Sequence, residues 1–212
     1  VFMFGYVFKS KEQYFAIFVF IGITLWDFFN KCLIQSVKVI KNNKPIVSKV
    51  YIPKFILLVV KMGVNGFKMF ISLLIVAAML AVWRVPLTWN ALYIFPILLT
   101  LLIVVFGFSC FLLHYGVFVE DLSNVLNIAL RFLFYLTGVF WNIMDRLPAP
   151  YNSYIGRCNP IAFLLTSARD CVIYGSTPHR KLLLLWFVIG LIISALGVRK
   201  IYKNENSYVK VI

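Results

Sequence analysis

Acidic residues are scarce: seven Asp and Glu stand against 21 Lys and Arg in 212 residues. Charged side chains make up only 13% of the chain, where a soluble domain carries about 25%. Hydrophobic residues reach 62%, with a mean hydropathy of +0.92. This deficit of charge excludes an ordinary water-soluble domain and points to an integral membrane protein. The net charge of +14 would suggest nucleic acid in a soluble chain. Here no nucleic-acid partner is read from it, because its placement relative to the apolar runs is what carries information.

Four cysteines without a Cys-x-x-Cys pair, and two histidines, are too few for a disulfide scaffold or a metal knuckle, so no metal site is read. Cys32 and Cys110 fall in apolar runs and read as small buried residues, whereas Cys158 and Cys171 share one loop where a bridge is chemically permitted. There is no Gly-x-x-x-x-Gly-Lys-[Ser/Thr] phosphate loop, no Gly-x-Ser-x-Gly elbow, no His-Glu-x-x-His and no acidic cluster of a metal-dependent sugar transferase. The chain therefore hydrolyses no ATP by a Walker mechanism, and no catalytic residue is assigned. His114 and His179 fall on opposite membrane faces by alternation of the spans, which argues against a membrane transferase built on both.

What the sequence has in abundance is long apolar runs. Full candidates lie at about 14–36, 55–82, 89–113, 125–144 and 181–199, each near the roughly 20 residues that cross a bilayer. Val1 to Phe8 is too short to cross and reads as the exit half of a spanning helix, a first helix truncated here. Without period-two alternation, such runs form helices rather than a barrel. The expected fold is an all-α integral membrane protein, a single transmembrane domain over 1–212.

Orientation follows from basic loops. Lys38, Lys41, Lys44, Lys49 and Lys54 separate the first two full spans, while the next turn holds only Arg84; the tail has Arg199, Lys200, Lys203 and Lys210 against Glu205. The loop 37–54, the stretch 114–124 and the tail are read as cytoplasmic, and 142–180 as outer. In that outer segment, punctuated by Pro148 and Pro150, the patches Ile161–Leu165 and Cys171–Tyr174 are too short to cross and read as re-entrant or interfacial helices. Asn159 is placed to cap one whose first residue is Pro160.

Polar groups inside the runs are candidates for a translocation path. Asp27 and Lys31 can pair at i, i+4, and Lys61, Asn65 and Lys68 share a face. A mid-membrane lysine costs about 2.5–3.5 kcal/mol, offset by apolar neighbours at about 0.3–0.6 each, so Lys68 is expected to face inward. Arg131 and Tyr135 share another face, with Arg131 either paired to Asp27 or near the cytoplasmic end. Trp26 joins this set because aromatic surfaces let the C–H faces of sugars slide, although most aromatics here are expected to face lipid.

One ordered set of features goes further: an apolar span, a Lys-rich loop ending Lys49-Val50-Tyr51-Ile52-Pro53-Lys54, two spans, an inner loop with Glu120-Asp121, another span, then Asn159-Pro160-Ile161-Ala162 leading to Ala168-Arg169-Asp170 and a final span. This order resembles the permease subunits of type-2 ABC exporters that move O-antigen, teichoic acid and capsular polysaccharides. The resemblance implies a six-helix bundle with re-entrant outer helices before the last span, in the bacterial cytoplasmic membrane. It implies a homodimer, a separate ABC ATPase that binds ATP and Mg, no cofactor on this chain, and a lipid-linked polysaccharide drawn from among the membrane lipids.

By the same resemblance, Asn42, Lys44, Lys49, Val50, Tyr51, Ile52, Pro53 and Lys54 belong to a coupling helix on the ATPase, with Glu120 and Asp121 a second contact. Asn159, Pro160, Arg169 and Asp170 belong to an outer gate. The family's inner loop usually reads Arg-Asp where this chain has Glu120-Asp121, and its Ser-Pro after the fifth helix is Thr137-Gly138 here. A flexible Gly thus stands where a Pro kink is usual. The alternatives are a related permease for drugs or lipids and, from another class, a membrane transferase.

Overall fold

The computed structural model describes residues 14–47, 52–143 and 151–211. The expected half span Val1–Phe8, the loop residues Lys49, Val50 and Tyr51, and the prolines Pro148 and Pro150 lie outside the described residues. Among the described residues the structure is helical, without a strand. The helices are α1 (Phe15–Asn42), α2 (Lys44–Val47), α3 (Lys54–Val82), α4 (Ile94–Phe118), α5 (Leu122–Leu136), α6 (Tyr151–Cys158), α7 (Pro160–Val172) and α8 (Arg180–Val211), with a 3-10 turn, Trp89–Tyr93, leading into α4.

Four segments among the described residues are long and apolar enough to cross a membrane: Phe15–Asn42, Lys54–Val82, Trp89–Phe118 and Arg180–Glu205. The chain is a membrane protein. α1 has 28 residues, roughly 42 Å at 1.5 Å each, so it outreaches the roughly 30 Å hydrocarbon core.

The run 125–144 differs from its expected single span. α5 holds only 15 residues, roughly 22 Å at 1.5 Å each, and stops short of a hydrocarbon core of about 30 Å. It ends because Gly138 adopts φ +67, a left-handed conformation that glycine alone adopts cheaply. A Cβ there would stand 2.6 Å from Ile143 Cγ1 and 2.8 Å from the Trp141 carbonyl oxygen. Thr137-Gly138 is thus a helix terminus, not a flexible point within a span.

Helix packing follows the rule for lipid surroundings, where small residues let backbones approach because apolar side chains gain little by leaving lipid. α4 and α8 meet along Gly107, Gly190, Ser194 and Gly197, and the Ser194 hydroxyl donates to the Ile103 carbonyl at 3.0 Å. A Cβ on Gly197 would lie 2.6 Å from Cys110 Cβ. α1 crosses α4 where Gly116 meets the backbone of Val37. α3 is peripheral: 22% of its apolar window is buried, against 61% for α1.

Alternation of the long helices gathers the segments into two ends. At the basic end, Val39, Ile40, Val47, Leu58, Leu113, Val117, Ile201 and Tyr208 form one buried cluster, so the Lys-rich loop and the basic tail, far apart in sequence, lie together. At the opposite end, the Asn90 amide donates to the Gly175 carbonyl at 2.6 Å and the Arg180 guanidinium stands 5.3 Å from the centre of the Tyr93 ring.

Candidate functional site

At the opposite end, α7 begins as its sequence suggests. The Asn159 side-chain oxygen accepts from the amides of Ile161 at 3.1 Å and Ala162 at 3.3 Å, with Pro160 at the first helical position. These bonds satisfy amides that the helix itself leaves without partners. The same side chain reaches back, its amide donating to the Thr137 hydroxyl at 3.3 Å, and Thr137 in turn donates to the Leu133 carbonyl at 2.6 Å. The start of α7 is thereby fastened to the end of α5.

Arg169, 3% exposed, fastens them a second time. Its Nε donates to the Phe18 carbonyl at 3.0 Å, Nη1 to Gly138 at 2.9 Å and Nη2 to Val139 at 2.6 Å, and its guanidinium carbon lies 3.5 Å from the Phe18 ring centroid. The planar fork of Arg suits three divergent acceptors, where a Lys head would act as a point charge. Gly22 makes room: a Cβ there would collide with Nη2. Asp170, half-buried, accepts at its backbone oxygen from the Ser176 amide at 2.9 Å, closing the turn after α7. Two of the four gate candidates therefore converge on the Thr137–Val139 break, which the sequence marked only as a departure from a pattern.

Cys158 and Cys171 are both free thiols, the first exposed and the second buried. Burial, and then the neighbouring Asp170 charge, push the Cys171 thiol up to about 11.

The six path candidates fall on two faces of α1. Asp27 and Lys31 pair at 2.6 Å, both about half-exposed. With Lys68, Asn65 and Ser72 they line a cleft of about 20 Å³, room for one water. Asp27 is therefore bonded to Lys31, not to Arg131. Asn65 donates to Gln35 Oε1 at 3.0 Å while its own buried oxygen has no partner among the described residues. Lys68, expected to face inward, is exposed on the single chain, where it lines the cleft between α3 and α1.

Trp26, Arg131 and Tyr135 meet at a second cleft of about 380 Å³ between α1 and α5. Trp26 itself is 7% exposed, with Phe29 at 5.3 Å and Phe134 edge-on at 5.4 Å, so it is mainly a packing residue. Sequence reasoning missed a third feature, an almost wholly apolar groove of about 810 Å³ between α1, α4, α5 and the α6–α7 turn, lined among others by Phe29, Leu33, Phe108, Leu112 and Leu133. No periodicity signals it, because the groove lies between elements distant in sequence.

At the basic end Asn42, Lys44, Glu120 and Asp121 are exposed, and Ile52 and Pro53 half-buried. Lys54 is different. Read from sequence as part of a docking face, it is 2% exposed and its charge turns inward. Its Nζ lies 3.5 Å from Glu205 Oε1 and donates to the Ile52 carbonyl at 3.0 Å; its backbone amide donates to the same Glu205 oxygen at 3.3 Å. Pro53 offers no side-chain cap to α3, so the carboxylate supplies one from 151 residues away. Removing one partner of such a buried pair costs about 3–5 kcal/mol.

One turn further along α8, Tyr208 is fully buried and hydrogen-bonded to His114 Nδ1 at 2.8 Å. Burial, and secondarily the charge of Glu205, hold its phenol above the ordinary value, so it stays protonated. His179 lies at the other end, beside Arg157. The two histidines share no site.

The profile of the family described as "ABC-2 type transporter" matches residues 1–173. Two curated proteins of Klebsiella pneumoniae, each named "O-antigen export system permease protein RfbA", align with the whole chain and 81% of their own length, one at 20% identity and the other at 22%.

Proposed function

Because the chain belongs to the ABC-2 type transporter family, we propose that it is the transmembrane permease of an exporter that carries a lipid-linked polysaccharide outward across the bacterial cytoplasmic membrane. The relatives named as O-antigen export permeases support this cargo class. The family implies an ABC ATPase as partner. ATP and Mg bind on that partner, and two copies of this chain enclose the conduit.

The observation that carries the reading is the composition of the basic end. Its exposed Asn42, Lys44, Glu120 and Asp121 come from two loops that the fold brings to one end of the bundle. They offer a mixed-charge docking surface on a chain without a phosphate loop of its own. Closure of the ATPase pair would push on the segment 42–54 and part the spans, with Asp27, Lys31 and Lys68 supplying polar contacts to a hydroxyl-rich cargo. The reading as a drug or lipid permease has one observation in its favour, the apolar groove beside α5.

Deletion of the gene tests the choice. The glycan reading expects undecorated cells with lipid-linked glycan accumulating inside, restored by the wild-type gene only with a hydrolysis-competent partner. Normal surface glycan together with heightened drug sensitivity would favour the alternative.

A further inference from the structure

We propose that the turn of α8 from Glu205 to Tyr208 is a tether that makes the two cytoplasmic docking segments move as one body, with Glu205 as its positioning residue. The proposal rests on the reading of the basic end as the ATPase-facing surface. Three observations converge on it. Glu205 binds both the side chain and the backbone amide of Lys54, at the exit of the 37–54 loop. Tyr208, three residues on and fully buried, binds His114, one turn before the loop that carries Glu120 and Asp121. Tyr208 belongs to one apolar cluster with Val39, Leu58, Val117 and Ile201, and Lys54, Glu205 and His114 are buried as well, where an unmade polar contact is expensive.

The physical consequence is directional. A helix N-terminus carries a partial positive charge and unpartnered amides. The Glu205 carboxylate therefore resists withdrawal of α3 from α8 along the helix axis, the direction in which a push on the coupling loop acts. The Tyr208–His114 bond resists the same displacement of α4. A displacement applied to either loop is transmitted through α8 to the other.

Glu205→Gln keeps the acceptor and removes the charge; Tyr208→Phe keeps the ring and removes the hydroxyl. In the first measurement, hydrogen exchange is followed in the full-length protein in lipid nanodiscs without any ATPase. Each variant is expected to speed exchange at both 54–57 and 117–123, although each touches only one of them directly. Loosening confined to the segment touched, or to neither, would overturn the tether.

In the second, the protein is co-reconstituted with its ATPase, and ATP hydrolysed per glycan exported is compared with wild type. The ratio is expected to rise above that of wild type while assembly with the ATPase is retained. An unchanged ratio in either folded variant would overturn the tether. If Glu205→Gln fails to fold, Tyr208→Phe decides both measurements. A wild-type protein that neither binds nor stimulates an ABC ATPase would sink the functional reading instead, leaving the exchange result to stand or fall alone.

Discussion

The two ends of the bundle solve one problem with opposite charges. At the end opposite the basic loops, α5 stops short and leaves backbone carbonyls inside the protein; a cation, Arg169, satisfies Gly138 and Val139 together with Phe18. At the basic end, α3 starts inside the protein and presents an amide; an anion, Glu205, receives it. The signs follow the backbone: carbonyl ends of helices are partly negative and amide ends partly positive. In both cases the charged side chain comes from a distant element. The partners differ in kind: Arg169 meets three carbonyls, with Asn159 nearby, whereas Glu205 receives an amide and an ammonium.

Breaking the larger hub gives the largest expected effect. Arg169→Leu strands the Gly138 and Val139 carbonyls at about 1–3 kcal/mol each and removes the bond to Phe18, so the variant is expected to lose most of its folded, monodisperse fraction on size exclusion. Arg169→Lys should fall between, because a point charge cannot replace a fork. A Leu variant with wild-type melting would dissolve the contrast between the ends.

At the basic end, Gly116→Val drives a side chain into the Val37 backbone. The cost is about 1–3 kcal/mol, read as a lowered melting temperature. A smaller effect belongs to Asn159→Ala, about 1 kcal/mol for a lost cap. Asn159→Asp should recover most of that while still lacking the bond to Thr137.

The smallest perturbation is chemical. A membrane-impermeant maleimide near neutral pH should modify exposed Cys158 and spare buried Cys171. With its pKa pushed up to about 11, the Cys171 thiol stays neutral and unreactive until the pH approaches that value, and labelling there should appear only in strong base. Equal labelling of both near neutrality would contradict the packing of α7.

Much of the fold could be read from local signals. Run length marked the four crossing segments, Asn159-Pro160 announced its own helix start, and the spacing of Asp27 and Lys31 anticipated their pair. What stayed hidden depended on long-range geometry or on a single backbone angle. Gly138 ended α5 through a positive φ that hydropathy over 125–144 does not register. Lys54 looked like one more lysine in a basic loop, and only folding showed that it faces a residue 151 positions later. The clefts at Asp27 and at Arg131 were legible as polar groups in apolar runs, but not as two separate faces of α1.

The central claim is that this chain forms an export path powered by another subunit. Its most direct test is transport in sealed vesicles that hold the full-length protein with its ABC ATPase facing outward and lipid-linked glycan in the outer leaflet. The account predicts ATP-dependent movement of glycan to the interior that vanishes when either subunit is omitted. Movement by this chain alone, or equal movement without ATP, would contradict it.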